Sequence, residues 1–246
     1  MAIHLGFTEA DTILISGAGS GIGRATALLA AGQGLKVSAW DVSAEGLAQT
    51  VKEIQRNGGT AHSWLGDVSN QSSVEEGMAD VREKMGLIRY LFNNAGPASA
   101  NLMEFDDALL ISVGSVRRMT DAWASSGLPE GAAMVATTSV AGNLIGTDSA
   151  WYSASKAGLM GYIRHLAAYR SGEFRSNGVA PGMTDTPRLA AFKASEVGAR
   201  VLDRIPLKRM ATAEDIAWAA LFLLSPLSSY TNGVFLPVDG GWTVTQ

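Results

Sequence analysis

Thr12-Ile-Leu-Ile-Ser-Gly-Ala-Gly-Ser-Gly-Ile-Gly-Arg-Ala-Thr-Ala-Leu-Leu-Ala-Ala31 reads as a buried strand, a glycine turn and a helix with nothing between them. Thr12–Ser16 is a short apolar run suited to a strand, and Arg24–Ala31 suits a helix. That order aims backbone N–H groups and a helix N-terminus at a phosphate. Glycines let the backbone approach a pyrophosphate and let the helix pack tightly on the strand. Gly17, Gly21 and Gly23 fit Gly-x-x-x-Gly-x-Gly and not Gly-x-Gly-x-x-Gly, because position 22 is Ile. A glycine-rich turn that holds no ligand is the competing reading.

Leu35–Trp40 reads as the next strand, closed by Asp41. An acidic residue at this distance from the turn accepts hydrogen bonds from an adenosine ribose 2′-OH and repels a 2′-phosphate. No Arg or Lys follows Asp41 closely, and Arg24 lies beyond the turn, on the helix. NAD is therefore favoured over NADP; capping of the helix over 43–57 is the rival role for Asp41. Ala61–Leu65 reads as a third strand, ending at Gly66-Asp67-Val68, with a helix over 72–85 after it. Ile88–Phe92 reads as a fourth, ending in Asn93-Asn-Ala-Gly96. His62 has no partner at ligand spacing and reads as structural. Strands alternating with helices imply an α/β fold with a doubly wound parallel sheet.

Composition narrows the function. The 246 residues, 47% of them hydrophobic, suffice for one large α/β domain, and no composition shift marks a boundary. No apolar run reaches the roughly 20 residues of a membrane span, and the N-terminus lacks the charged flank and long apolar stretch of a signal peptide. Net charge is −4 with no basic run, against a nucleic-acid partner. Absence of cysteine fits a cytoplasmic protein. With three His, no Cys and no cluster at ligand spacing, no metal is expected.

Further along, Ala132–Ser139 reads as a fifth strand, delivering Ser139 at its C-terminal end, where open α/β sheets bind ligands. Tyr152 and Lys156 then stand four apart at the start of a long helix to about Arg170, on one face and within mutual reach. A tyrosine with its ordinary pKa of about 10 is a poor base at neutral pH, and a nearby ammonium favours the phenolate. A surface helix with a half-buried Tyr and a solvated Lys is the bland alternative. Phe174–Ala180 reads as a sixth strand broken by Pro181-Gly182, residues 188–205 as one or two helices, 213–224 as a final helix and Val234–Val238 as the last strand.

Taken in order, the glycine turn, Asp41, Asp67-Val68, Asn93-Asn-Ala-Gly96, Ser139, Tyr152-x-x-x-Lys156, Asn177–Thr186 and Asp239–Trp242 resemble the classical short-chain dehydrogenases/reductases over about residues 10 to 243. The resemblance implies a single Rossmann-type domain spanning the chain, with seven parallel strands and helices on both faces. It implies that Gly17, Ser20, Gly21 and Ile22 meet the pyrophosphate, Asp41 the adenosine ribose, Asp67 and Val68 the adenine. Asn94 would lie along the cofactor, and Pro181, Thr184 and Thr186 would contact its nicotinamide end. Tyr152 would be the acid/base, Ser139 would polarise the substrate oxygen, and Lys156 would bind the nicotinamide ribose and assist the tyrosine. The expected activity is hydride transfer between NAD and a secondary alcohol or ketone.

One position departs from the family. An Asn usual in the helix after strand four, part of a proton relay to the lysine, is replaced by Ser112, whose hydroxyl and backbone carbonyl can still serve water. The same helix forms subunit contacts in the family, and here it carries Arg117, Arg118 and Asp121 beside Val116, Met119 and Trp123. A homo-oligomer, tetramer or dimer, is the expectation. Leu144, Trp151, Met183 and Leu189, with Pro97, Ile145 and Phe192, would line the substrate cleft, which favours a hydrophobic or aromatic substrate. Arg188, Lys193, Arg200 and Arg204 would bind an anionic group if turned inwards. Two alternatives stay open: a dinucleotide-binding sensor or scaffold without turnover, suggested by Ser112, and an NADPH-dependent carbonyl reductase, disfavoured by Asp41.

Overall fold

Every residue of β1 (Thr12–Ser16) is buried, because the strand lies between two neighbours and under helices on both faces. The computed structural model describes residues 4–142, 145, 147–193 and 195–245. β1 pairs in parallel with β2 (Lys36–Asp41) on one side and β4 (Tyr90–Asn93) on the other. With β3 (Ala61–Leu65), β5 (Ala133–Thr137), β6 (Arg175–Pro181) and β7 (Phe235–Val238) they form one parallel sheet of order β3-β2-β1-β4-β5-β6-β7. This is the seven-stranded Rossmann-type arrangement expected.

The two-residue period of a strand splits the core into two layers. Ile13 and Ile15 point into a layer closed by α1 (Gly21–Gly32), α2 (Ala44–Arg56) and α8 (Ala213–Leu224), where Ala27, Leu47, Ile54, Ile216 and Leu221 are buried. Leu14 points into the opposite layer, closed by α3 (Gln71–Met85), α4 (Phe105–Ser125) and α5 (Ala150–Tyr169) through Val74, Met119, Trp123, Leu159 and Ile163. Trp123 is fully buried, and its indole N–H donates to the Ile88 carbonyl (2.8 Å), which satisfies the one polar group it carries. The strand order reverses between β1 and β4, so the crevice beyond their C-terminal ends is where a ligand fits an open sheet of this kind.

Two local expectations need correction. Pro181 does not break β6; it is the strand's last residue and pairs with Val238. Odd-numbered N–H groups of β6 face β5, as Arg175 N–H to the Ala132 carbonyl shows, and β5 has ended at Thr137 before position 181 is reached. No ladder bond awaits the proline, so its missing N–H costs nothing there. For the same reason Ser139 lies two residues beyond β5, at the head of a 3₁₀ turn over Val140–Gly142. The segment after β6 contains a 3₁₀ turn (Pro187–Leu189), the short α6 (Ala190–Lys193) and α7 (Glu196–Arg204), the last capped by the Ser195 side chain, which accepts from Gly198 N–H (3.0 Å). Among the described residues no helix is long and apolar enough to cross a membrane.

His62 is structural, as its position suggested: Nε2 meets Asp80 Oδ2 at 2.5 Å, and Lys84 Nζ meets Asp80 Oδ1 at 2.5 Å. Desolvation raises the Asp80 carboxyl, but the hydrogen bonds from Lys84 and His62 outweigh it and hold the group below its ordinary value. A carboxyl depressed in the fold stabilises above its unfolded pKa of about 4 and loses that contribution as pH falls through the folded value. Asp80→Asn should therefore flatten the decline in urea midpoint between about pH 5 and pH 2. An identical decline in the variant would remove Asp80 from the acid response.

Candidate active site

The glycine turn is shaped by close approaches. Gly17 and Gly21 have φ of +71° and +51°, in the region that penalises side chains. A Cβ on Gly23 would lie 2.0 Å from the Gly17 carbonyl oxygen, so α1 is seated directly on the turn. Asp41 is fixed from two sides: Oδ2 accepts from Gly19 N–H and Oδ1 from Ser43 N–H, both at 2.9 Å. A carboxylate has about four acceptor sites, so sites remain for two ribose hydroxyls. Arg24 is turned away, donating to Thr50 Oγ1 (3.1 Å) and Gln49 Oε1 (2.9 Å) on α2. Asp67 is exposed beyond β3, its Oδ1 accepting from Ser69 N–H, with Val68 half-buried beside it.

Does the turn suit a dinucleotide? Ser20 is exposed and makes no side-chain capping bond, so its hydroxyl is available at the helix N-terminus. The first-turn N–H groups of α1 have no acceptor within the helix, and Gly21 and Ile22 face the cleft. Donors without an acceptor inside the helix, at its positive end, match a pyrophosphate. The residues fit the group.

One cleft runs from this turn across the C-terminal ends of β4, β5 and β6. Gly17, Ser20, Gly21 and Ile22 line it at the glycine turn, and Asn94 lines it at the end of β4. Ser139, Tyr152 and Lys156 meet in it, and Pro181, Thr184 and Thr186 close the side from β6. Three elements converge to build the centre. α5 begins at Ala150, so Tyr152 and Lys156 occupy its first two turns and face the cleft. Lys156 Nζ donates to the Thr137 carbonyl at the end of β5 (2.8 Å) and lies 5.5 Å from the centre of the Tyr152 ring. Gly142 allows the Ser139 turn to touch this helix: a Cβ there would be 3.0 Å from the Lys156 backbone. Ser139 Oγ accepts from Ala141 N–H (3.1 Å), leaving its own hydrogen for another acceptor. Lys156 is the only charged side chain among the described residues that line the cleft.

The other sequence candidates are less uniform. Leu189 lines the cleft, with Pro187 and the Pro97–Ala100 loop. Trp151 is buried and packs edge-on against Tyr152 (centroids 5.6 Å apart), so it backs the tyrosine rather than facing the cleft. Met183 is half-buried outside the lining, its carbonyl accepting from Ala211 N–H (2.8 Å). Leu144 lies outside the described residues. Lys193 is paired with Asp185. Ser112 is buried on α4 and is not among the residues lining the cleft; its hydroxyl has no partner among the described residues, and its carbonyl accepts from Ser115 Oγ (3.3 Å). Arg117 pairs with Asp121 (3.0 Å). No group of three metal-ligating side chains occurs among the described residues. Sequence reasoning overlooked Thr137, Thr138 and Ser99, all at the cleft; the position of Thr137 at the end of a strand was the available signal.

Comparisons with known proteins identify the family and the fold. A family profile described as "Enoyl-(Acyl carrier protein) reductase" matches residues 17–243. The chain is 34% identical to a 3-oxoacyl-(acyl-carrier-protein) reductase of Thermotoga maritima over 246 residues, 96% of this chain and 99% of that one. It is 32% identical to the 7alpha-hydroxysteroid dehydrogenase of Escherichia coli over 237 residues, covering 93% and 92% of the two chains. Among solved structures, levodione reductase superposes with a TM-score of 0.86 at 31% identity, over 98% of this chain and 100% of that one.

Proposed function

The chain belongs to the classical short-chain dehydrogenase/reductase family, and from that premise we propose that it is an NAD-dependent oxidoreductase acting on an apolar or aromatic secondary alcohol or ketone. The family binds a nicotinamide dinucleotide and acts on hydroxyl or keto groups of small molecules; the choice of NAD and the substrate class are our reading. Its main support is the meeting of Ser139, Tyr152 and Lys156 in one cleft beside the glycine turn. Gly17, Ser20, Gly21 and Ile22 would hold the pyrophosphate, Asp41 the adenosine ribose, and Asp67 and Val68 the adenine. Asn94, Lys156, Pro181, Thr184 and Thr186 would hold the remainder. When bound, the nicotinamide supplies the hydride chemistry.

The protein's own part is proton transfer and charge stabilisation. Tyr152 takes the hydroxyl proton in oxidation and returns it in reduction. Ser139, whose oxygen already accepts from Ala141, donates to the substrate oxygen, where negative charge develops. Lys156 and the N-terminal end of α5 put positive charge on the tyrosine's side while it lacks its proton. Ser112, buried with no hydroxyl partner among the described residues, would have to hold the water of any proton relay in place of an Asn.

An apolar substrate is supported by Pro97, Ala98, Ala100, Pro187 and Leu189 along the cleft. It is also consistent with relatives named for a hydroxysteroid and for levodione. For the cofactor, the support is Asp41, held where a 2′-phosphate would meet a carboxylate, with Arg24 tied to α2. The reading extends to a cytoplasmic homo-oligomer, for which lack of cysteine and the mixed face of α4 are the supports.

The test is absorbance at 340 nm with NAD⁺ or NADP⁺ and a panel of secondary alcohols, and with NADH or NADPH and aryl ketones, diketones, sugars and acyl thioesters. Turnover with NAD(H) on an apolar member is expected. Silence across the panel with NADH still bound would replace the enzyme by a binding protein. Asp41→Ala should lower the NAD/NADP ratio of kcat/KM at least tenfold, because one repulsive charge near a phosphate is worth more than about 1.4 kcal/mol. An unchanged ratio would show that Asp41 does not set the choice.

A further inference from the structure

We propose that Thr137 is a positioning residue for dinucleotide binding, because its hydroxyl fixes the Asn94 amide in the orientation that braces the glycine turn. The inference rests on the nucleotide reading above. Thr137 is the last residue of β5 and borders the cleft. Its Oγ1 donates to Asn94 Oδ1 (3.1 Å), while Asn94 Nδ2 faces the carbonyls of Ser16 (3.3 Å) and Gly17 (3.4 Å). A carboxamide accepts at oxygen and donates at nitrogen. Rotating it by half a turn would set Oδ1 against two carbonyl oxygens, and the Thr137 donor at the other end opposes that rotation.

Glycine geometry gives the amide its importance. A Cβ on Gly17 would lie 2.9 Å from Asn94 Nδ2, and one on Gly23 would lie 2.7 Å from it. Asn94 Nδ2 therefore sits in the space left by two missing side chains, directly behind the turn. The Asn94 backbone is held as well, its N–H donating to Ser16 Oγ (3.0 Å). What remains adjustable is the amide, and Thr137 sets it.

Thr137 serves the lysine through a different group. Its carbonyl, not its hydroxyl, accepts from Lys156 Nζ (2.8 Å). Substituting the side chain thus separates the two roles: Thr137→Val removes the donor to Asn94 at nearly constant volume and keeps the carbonyl to Lys156. Loss of one partner in a half-buried neutral hydrogen bond corresponds to about a three- to tenfold effect.

The experiment is fluorescence titration of the 246-residue wild type, Thr137→Val, Thr137→Ala and Thr137→Ser with NADH, followed by kcat, KM and pH profiles on whichever substrate the panel identifies. Thr137→Val and Thr137→Ala should bind NADH three- to tenfold more weakly, Thr137→Ser should stay within about twofold because it keeps the hydroxyl, and kcat at saturating NADH and the pH profile should not move. Equal NADH affinity in all four proteins would overturn the bracing role. So would a Thr137→Ser variant as weak as Thr137→Val, or a loss confined to kcat. Failure of the wild type to bind NADH or NADPH would instead overturn the nucleotide reading itself, a result separable from the others.

Discussion

Tyr152→Phe should reduce turnover by about 10²- to 10⁴-fold, the usual contribution of a positioned acid/base, while NADH binding stays within a few-fold. The substitution deletes one oxygen and keeps the ring, which packs against Trp151 and lies beside Lys156 Nζ. Loss of packing is therefore small, and a fall in kcat without a fall in thermal midpoint isolates the proton transfer. Ser139 and Lys156 remain in the variant, the serine held by Ala141 N–H and the lysine by the Thr137 carbonyl. Any residual rate reports what those two supply alone. Single-turnover absorbance at 340 nm with saturating NADH provides the measurement. Near-normal turnover would transfer the acid/base role away from Tyr152.

Gly23→Ala should abolish useful dinucleotide affinity, with a loss of at least tenfold, and should lower stability by about 1–3 kcal/mol, the range for forcing extra volume into a packed site. The added methyl would lie 2.0 Å from the Gly17 carbonyl oxygen, 2.6 Å from its carbon and 2.7 Å from Asn94 Nδ2. Two of those three atoms are backbone, so no flexible side chain can yield. Relief requires α1 to move off the turn, and that motion misaligns the N–H groups of Gly21 and Ile22. Gly161→Ala is the control, since its methyl meets no atom within 4 Å and the residue lies inside α5. NADH titration and urea midpoints of both variants decide the matter. Wild-type affinity in Gly23→Ala would mean that the close seat of α1 is not what shapes the turn.

Both predictions draw on features that differ in how far the chain announces them. The strand, turn and helix of residues 12–31 were legible because each signal is local: apolar run, glycine spacing and helical composition lie within adjacent residues. Asp41 was legible as a strand-end acid, and Tyr152 and Lys156 as an i, i+4 pair, for the same reason. Alternation of strands and helices then implied the parallel sheet, and the order of motifs implied the family.

The sequence by itself determined that strand, turn and helix, the residue types of the proposed active site and the order in which they arrive. Only the tertiary structure decided how they meet. Thr137 and Asn94 are 43 positions apart, and their hydrogen bond exists because β4 and β5 pair in one register. Trp151 adjoins Tyr152 in the chain, yet it is turned into the core, because neighbouring residues of a helix face different ways. Pro181 extends β6 because β5 has already ended beside it. That Ser112 on α4 is buried with no hydroxyl partner among the described residues was likewise not readable from its neighbours in the chain. Local propensity is encoded over a few residues, whereas contacts across a sheet depend on register and on packing between segments far apart in sequence.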